Sequence, residues 1–173
     1  MKSVPVKVEH GGKWVPTTLG IGEDRIRIDA PLDCEIPYKS VVDLEEKKNQ
    51  VVITAGAEGE LVYRIASVEK VLSVLKKFII IQCSAYRLNA FFMSPAVRGG
   101  VLVQDAKWEK GAIAVLKTGI WFVSQESQVC IPIEDVAGIE LTSREIQEKN
   151  LDVVKIDHLS ENEVVTSFVL CPM

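Results

Sequence analysis

The sequence has little of the chemistry from which active sites and metal centres are assembled. It holds two histidines, His10 and His158, and four cysteines, Cys34, Cys83, Cys130 and Cys171, none close to another along 173 residues. No C-x-x-C pair occurs, so the ligand spacing of a zinc site is missing. Each cysteine has apolar neighbours, and the expectation is a buried, reduced thiol. Apolar runs are short: residues 78–81 fall far below the ~20 residues that a membrane helix needs. The opening Met1-Lys2-Ser3-Val4-Pro5 lacks the apolar centre of a secretory leader. A reducing cytoplasm is the expected location.

Positive charge is not in excess either. The chain carries 20 basic and 24 acidic side chains, a net charge of −4. Residues 1–95 hold 13 basic and 12 acidic groups, net +1, and residues 96–173 hold 7 and 12, net −5. Neither part has the cationic surplus that drives binding to a phosphate backbone, so no nucleic-acid partner is expected. Gly20-Ile21-Gly22 lacks a third glycine and runs into Glu23-Asp24, which would repel a phosphate; Arg98-Gly99-Gly100 lacks the Lys-Ser/Thr of a phosphate loop. Adjacent carboxylates such as Glu45-Glu46 and Glu23-Asp24 point to opposite faces of a strand and do not converge for acid–base work. His10 precedes a Gly-Gly turn, His158 is expected in a hairpin turn, and no serine or cysteine has a motif that recruits either as a base. The reading is a protein that is not an enzyme and takes no cofactor or metal.

What the chain does have is alternation. Valines 4, 6 and 8 mark a half-buried strand, closed by His10-Gly11-Gly12, and further strands are expected over residues 14–19, 25–28, 36–38, 41–45, 50–54 and 61–65. Pro37 cannot donate to a ladder and belongs at a strand start or a sheet edge. The period then changes. Val68, Val71, Leu72, Leu75, Phe78 and Ile79 share one helical face, with Ser67 as the expected N-cap and Lys76 and Lys77 on the solvated side, late in the helix. Residues 86–98 read as a connector ended by Gly99-Gly100, before strands resume over 101–104, 112–116, 120–123, 130–133, 136–141, 153–156 and 164–170.

The second series repeats the first. Ile36-Pro37-Tyr38-Lys39-Ser40-Val41-Val42-Asp43-Leu44-Glu45 aligns with Ile131-Pro132-Ile133-Glu134-Asp135-Val136-Ala137-Gly138-Ile139-Glu140 at a constant offset of 95 residues. The fold class expected is mainly β with some α: tandem pleckstrin-homology-like modules, each a bent antiparallel sheet or barrel, with one amphipathic helix after the first. The boundaries are a first module over 1–90, a connector over 91–100 and a second module over 101–173 without its closing helix. An uncovered apolar end is a poor stopping point, so the natural chain is expected to continue past Met173.

The run Phe91-Phe92-Met93-Ser94-Pro95-Ala96-Val97-Arg98-Gly99-Gly100-Val101-Leu102-Val103, followed by Trp108-Glu109-Lys110-Gly111, resembles the archaeal taxis protein family CheF, as do Trp14-Val15-Pro16 and residues 36–44. The resemblance spans nearly the whole chain. It implies a non-catalytic adaptor between the phosphorylated response regulator CheY and the cytosolic motor proteins of the archaellum, in a family whose members run longer with further helical sequence. It assigns no contact residue. From the residues themselves, Phe91, Phe92 and Met93 flanked by Arg98 form a candidate docking patch, with a wedge between modules as the bland reading. Arg25, Arg27, Lys47 and Lys48 are the cations open to an acidic receiver. A lipid-binding role of the same superfold is the alternative, but the loop near residues 20–24 is acidic and membrane contact is not expected. Trp108 and Trp121 are read as core or module-interface residues.

Overall fold

The computed structural model describes residues 1–56 and 60–170. The loop expected over 55–59 and the fourth cysteine, Cys171, lie wholly or partly outside them. The chain is mainly β, with one α-helix and two antiparallel sheets. It divides into a first unit, Met1–Tyr86 with Leu116–Thr118, and a second, Arg87–Val115 with Gly119–Met173.

The first unit opens with β1 (Lys2–His10) and β2 (Lys13–Ile21), joined by Gly11 and Gly12 at φ 60° and 76°. Two successive positive φ values match the right-handed twist of the flanking strands, and glycine adopts them without a Cβ clash. There follow β3 (Arg25–Ile28), β4 (Cys34–Pro37), a 3-10 turn at Tyr38–Ser40, β5 (Val41–Lys47), β6 (Gln50–Ala55), β7 (Leu61–Ala66) and α1 (Glu69–Gln82). The sheet order is β4-β3-β2-β1-β7-β6-β5, with Pro37 on an edge strand as its missing donor requires. Val8, Leu19, Ile28, Leu44, Ile53 and Ile65 are fully buried. Within this unit the buried Asp43 carboxylate accepts hydrogen bonds from the Thr118 backbone N–H (3.2 Å) and hydroxyl (3.0 Å).

Helix α1 lies along the 3-10 turn and β5. Phe78 stacks on Tyr38 with centroids 5.9 Å apart, Lys76 Nζ donates to Glu46 Oε2 at 3.0 Å, and the Ser84 N–H donates to Val41 O at 2.9 Å. Leu72, Leu75, Ile79 and Ile80 form its buried face. That burial carries the β-branched run at 79–81 in helical conformation against its weak propensity. Three expectations change here. The N-cap is Val68, and the Ser67 hydroxyl donates to Pro5 O instead. Lys76 is not solvated: its stem is buried, and the ammonium reaches Glu46 and Glu69 at the rim. Because the helix runs on to Gln82, its last turn holds no cation.

The second unit consists of β8 (Tyr86–Arg98), β9 (Val101–Leu102), β10 (Glu109–Val115), β11 (Gly119–Ser124), β12 (Gln128–Pro132), a 3-10 turn at Ile133–Asp135, β13 (Val136–Ile146), β14 (Lys149–Ser160) and β15 (Glu163–Leu170). Its order, β12-β11-β10-β8-β15-β14-β13 with β9 on β8, is the order of the first sheet strand for strand. The repeat extends to backbone detail. The ladder slips between Val41 and Asp43 in one sheet and between Val136 and Gly138 in the other, at the same offset as the sequence match. Each slip follows a 3-10 turn entered from an extended proline, Pro37 or Pro132.

The expected connector is therefore a strand. Residues 91–98 lie within β8, the first strand of the second unit, and Gly99-Gly100 form a hairpin turn at φ 58° and 80°. Apolar residues on both faces of β8 disguise its alternation. Ala90 and Phe92 enter a core with Ile113, Phe122, Ile131, Ile156 and Val169, while Met93 packs on the opposite face against Ala96, Val153 and Phe168. Trp108 lies partly buried on that second cluster, and Trp121 is fully buried. Of the cysteines, Cys83 is buried, whereas Cys34 and Cys130 are half-buried.

His158 is also not in a turn. It sits inside β14 opposite Val136, is nearly fully buried, and its Nδ1 has no hydrogen-bond partner. Burial holds its pKa below the ordinary 6.5; Asp135 and Asp157 push upward and Arg98 pushes down. As pH falls through 6.5, the unfolded chain takes up the proton before the folded one. Stability attributable to this residue is thus complete above that value and declines below it, until the folded imidazole itself titrates. Urea unfolding at about pH 7.5 and about pH 5 should show this loss in the native chain and a smaller one in His158→Gln. In the same assay at neutral pH, Phe92→Ala should cost about 3–5 kcal/mol, since Phe92 is fully buried against Phe122 at 5.1 Å between ring centroids.

Candidate protein-docking surfaces

Alternation along β3 sends Ile26 and Ile28 into the core and leaves Arg25 and Arg27 facing out. Both guanidinium groups are occupied by the unit's own acids. Arg25 contacts Asp24 and Glu35, each at 3.2 Å, and Arg27 contacts Asp29 at 3.5 Å and Asp33 more closely. The Arg25 hydrogen bond and charge hold the Asp24 carboxyl below its usual range. Exposed pairs of this kind stabilise little, about 0–1 kcal/mol, but they neutralise the arginines as attractors for a further anion.

Lys47 and Lys48 stand differently. They form the exposed turn between β5 and β6, and among the described residues neither makes an ion pair. Beside them a groove of about 440 Å³ runs to α1, lined by Glu46, Asn49, Gln50, Glu69, Leu72 and Lys76. Its carboxylates make it amphoteric, which suits a polar protein surface with mixed charges more than a phosphorylated lipid headgroup. Among the described residues no helix is long and apolar enough to cross a membrane.

The Phe91-Phe92-Met93 run does not act as one patch. Phe92 is core, and Phe91 and Met93 are half-buried on the other face of β8, opposite Leu170 and Phe168. Arg98 is at the end of that strand, 3.6 Å from Glu163. The eight candidates thus lie apart: a self-paired arginine face, an open lysine turn, and a strand whose aromatic residues serve packing.

Both units expose apolar side chains that sequence reasoning did not single out, Leu61 and Val62 of β7 in the first unit and three residues around β13 in the second. Ile139 and Leu141 of β13 are 59% and 71% exposed, and Ile133 of the 3-10 turn is 41% exposed.

The family described as Archaeal Chemotaxis signal transduction system protein F matches residues 33–173. A search of curated proteins finds no match to the chain. The match takes in α1 and every strand from β4 through β15, together with both Ile-Pro turns and the lysine turn. The chain belongs to this family of archaeal chemotaxis signal transduction proteins.

Proposed function

We propose that the chain is a cytoplasmic, non-catalytic adaptor that binds the phosphorylated response regulator CheY and links it to the archaellum motor through protein–protein contacts. The family match over residues 33–173 carries this reading. The sheets agree with it. Each unit runs four strands outward from its first, returns to pair the seventh with the first, and in the first unit closes with a helix. We read that order as pleckstrin-homology-like, a rigid frame whose turns and ends present surfaces to other proteins.

The turn at Lys47 and Lys48 is the surface we assign to the regulator. A receiver domain that has gained a phosphoryl group carries additional negative charge and strong acceptor oxygens, which unpaired lysines complement. Arg25 and Arg27, already paired, contribute less.

Calorimetric titration with CheY, with and without beryllium fluoride as the phosphoryl mimic, tests the proposal. Tighter binding with the mimic is expected, and Lys47→Glu with Lys48→Glu should weaken it about tenfold and flatten its salt dependence. Equal affinity with and without the mimic would sink the phosphorylation-dependent reading. An unchanged affinity in the double variant would move the regulator surface away from this turn.

A further inference from the structure

We infer that the regulator surface proposed above, on which this site rests, extends from the lysine turn into an apolar groove at the start of α1 that receives an aliphatic or aromatic side chain flanked by carboxylates. The groove comes from the way β1 and β7 part. The two strands pair only at Lys7–Ala66 and Val8–Ile65. Two residues back along the same edge, Pro5 has no N–H with which to continue the ladder, and its carbonyl accepts from the Ser67 hydroxyl at 3.3 Å. The chain then turns away from β1. The Ser67 N–H donates to Asn49 O at 3.2 Å, and Val68 stays extended at φ −69° and ψ 154° before the helix begins. Between the parted strands is a groove of about 570 Å³, with Pro5, Pro16, Ala66 and Val68 as apolar lining and Lys7 and Asn49 beside them.

Val68 is the residue that marks it. The helical period groups Val68 with Leu72, Leu75 and Ile79, yet its side chain is 65% exposed. Its backbone is fixed, because its carbonyl accepts from the N–H groups of Val71 and Leu72, both at 3.1 Å. It is also the N-cap of α1, a position where serine, threonine, aspartate or asparagine would satisfy a helix N–H and valine satisfies none. A β-branched side chain with restricted χ1, held in water on a fixed backbone, forgoes a cap and offers a partner a preformed apolar contact. Departures from local rules of this kind belong to functional positions.

Charge and continuity select the occupant. Asn49 lines both this groove and the one beside Lys47 and Lys48, so the two adjoin. No carboxylate lines the apolar groove. Lys7 is its one charged residue and is exposed, and among the described residues it makes no ion pair, as Lys47 and Lys48 make none. The acids of the adjoining groove, Glu46 and Glu69, both meet Lys76, at 3.0 and 3.6 Å. An apolar centre beside three unpaired lysines fits an anchor side chain with acidic neighbours and repels a basic segment.

Val68→Ser separates binding from stability, since it removes the apolar contact and adds a cap. In calorimetric titration with beryllium fluoride-treated CheY, this variant should bind about tenfold more weakly than the native chain, while its thermal midpoint stays level or rises. Lys7→Glu, at an exposed position, should weaken binding about threefold and flatten its salt dependence. Unchanged affinity in Val68→Ser would overturn the inference and leave the regulator reading standing on the lysine turn alone. A weaker affinity accompanied by a lowered midpoint would also overturn it, because Val68 would then serve the fold. Absence of binding by the native chain would remove the regulator reading, and this site with it.

Discussion

A bent antiparallel sheet has an inner face that water reaches at its open end, and something apolar must cover it. In the first unit that cover is α1, and much of the local sequence serves the contact. Tyr38 gives up solvent to stack on Phe78, its hydroxyl donates to Gly22 O at 2.8 Å, and burial pushes its pKa up to about 12. Leu44, two residues before Glu46 on the same strand face, is fully buried. Lys76 can sit among apolar residues because Glu46 projects to meet it, a pair whose half-exposed partner spares it the full desolvation of a buried ion.

The same constraint separates what the two units share from what they do not. Shared are the strand order, the Ile-Pro entry to a 3-10 turn and the slip in the fifth strand that follows it. These fix how the edge strand leaves the turn and turns its face inward, so they are properties of the backbone that any sheet of this kind needs. What differs is the chemistry of the side chains in that turn and strand. Tyr38 becomes Ile133, Asp43 becomes Gly138 and Glu46 becomes Leu141. Tyr38 and Glu46 meet the helix and Asp43 binds Thr118, whereas their counterparts in the second unit are apolar or lack a side chain.

The elements with strict alternation or a clean helical period were legible in the sequence, and so was the duplication, because its Ile-Pro turn and flanking valines are local signals. The failures have physical causes. Strand β8 has apolar residues on both faces, which erases the period of two and makes residues 91–98 look like a wedge rather than a strand. The hairpin of β13 and β14 turns at Gln147 and Glu148, with φ of 51° and 66°, without the Asn-Gly or Gly-Gly that signals such a turn. Lys76 was misplaced because a helical wheel puts a lysine outside by type, whereas its stem is long enough to pass under the rim and leave only the ammonium at the edge. The candidate cations could be named from the sequence but not ranked. Only the structure shows Arg25 and Arg27 tied to nearby carboxylates and Lys47 and Lys48 left open.

Those pairings bear on how one scaffold serves in signalling. Where a surface recognises a partner by contact, its specificity resides in charge and exposed apolar area. The first unit nearly cancels its own charge, net +1 over residues 1–95, and leaves the Lys47–Lys48 turn open. The second is net −5 and exposes aliphatic side chains on a core-facing strand. A surface matched to the charge of one unit is therefore a poorer match for the other. Duplicating the frame keeps the folding solution and lets the surface chemistry of the two units diverge.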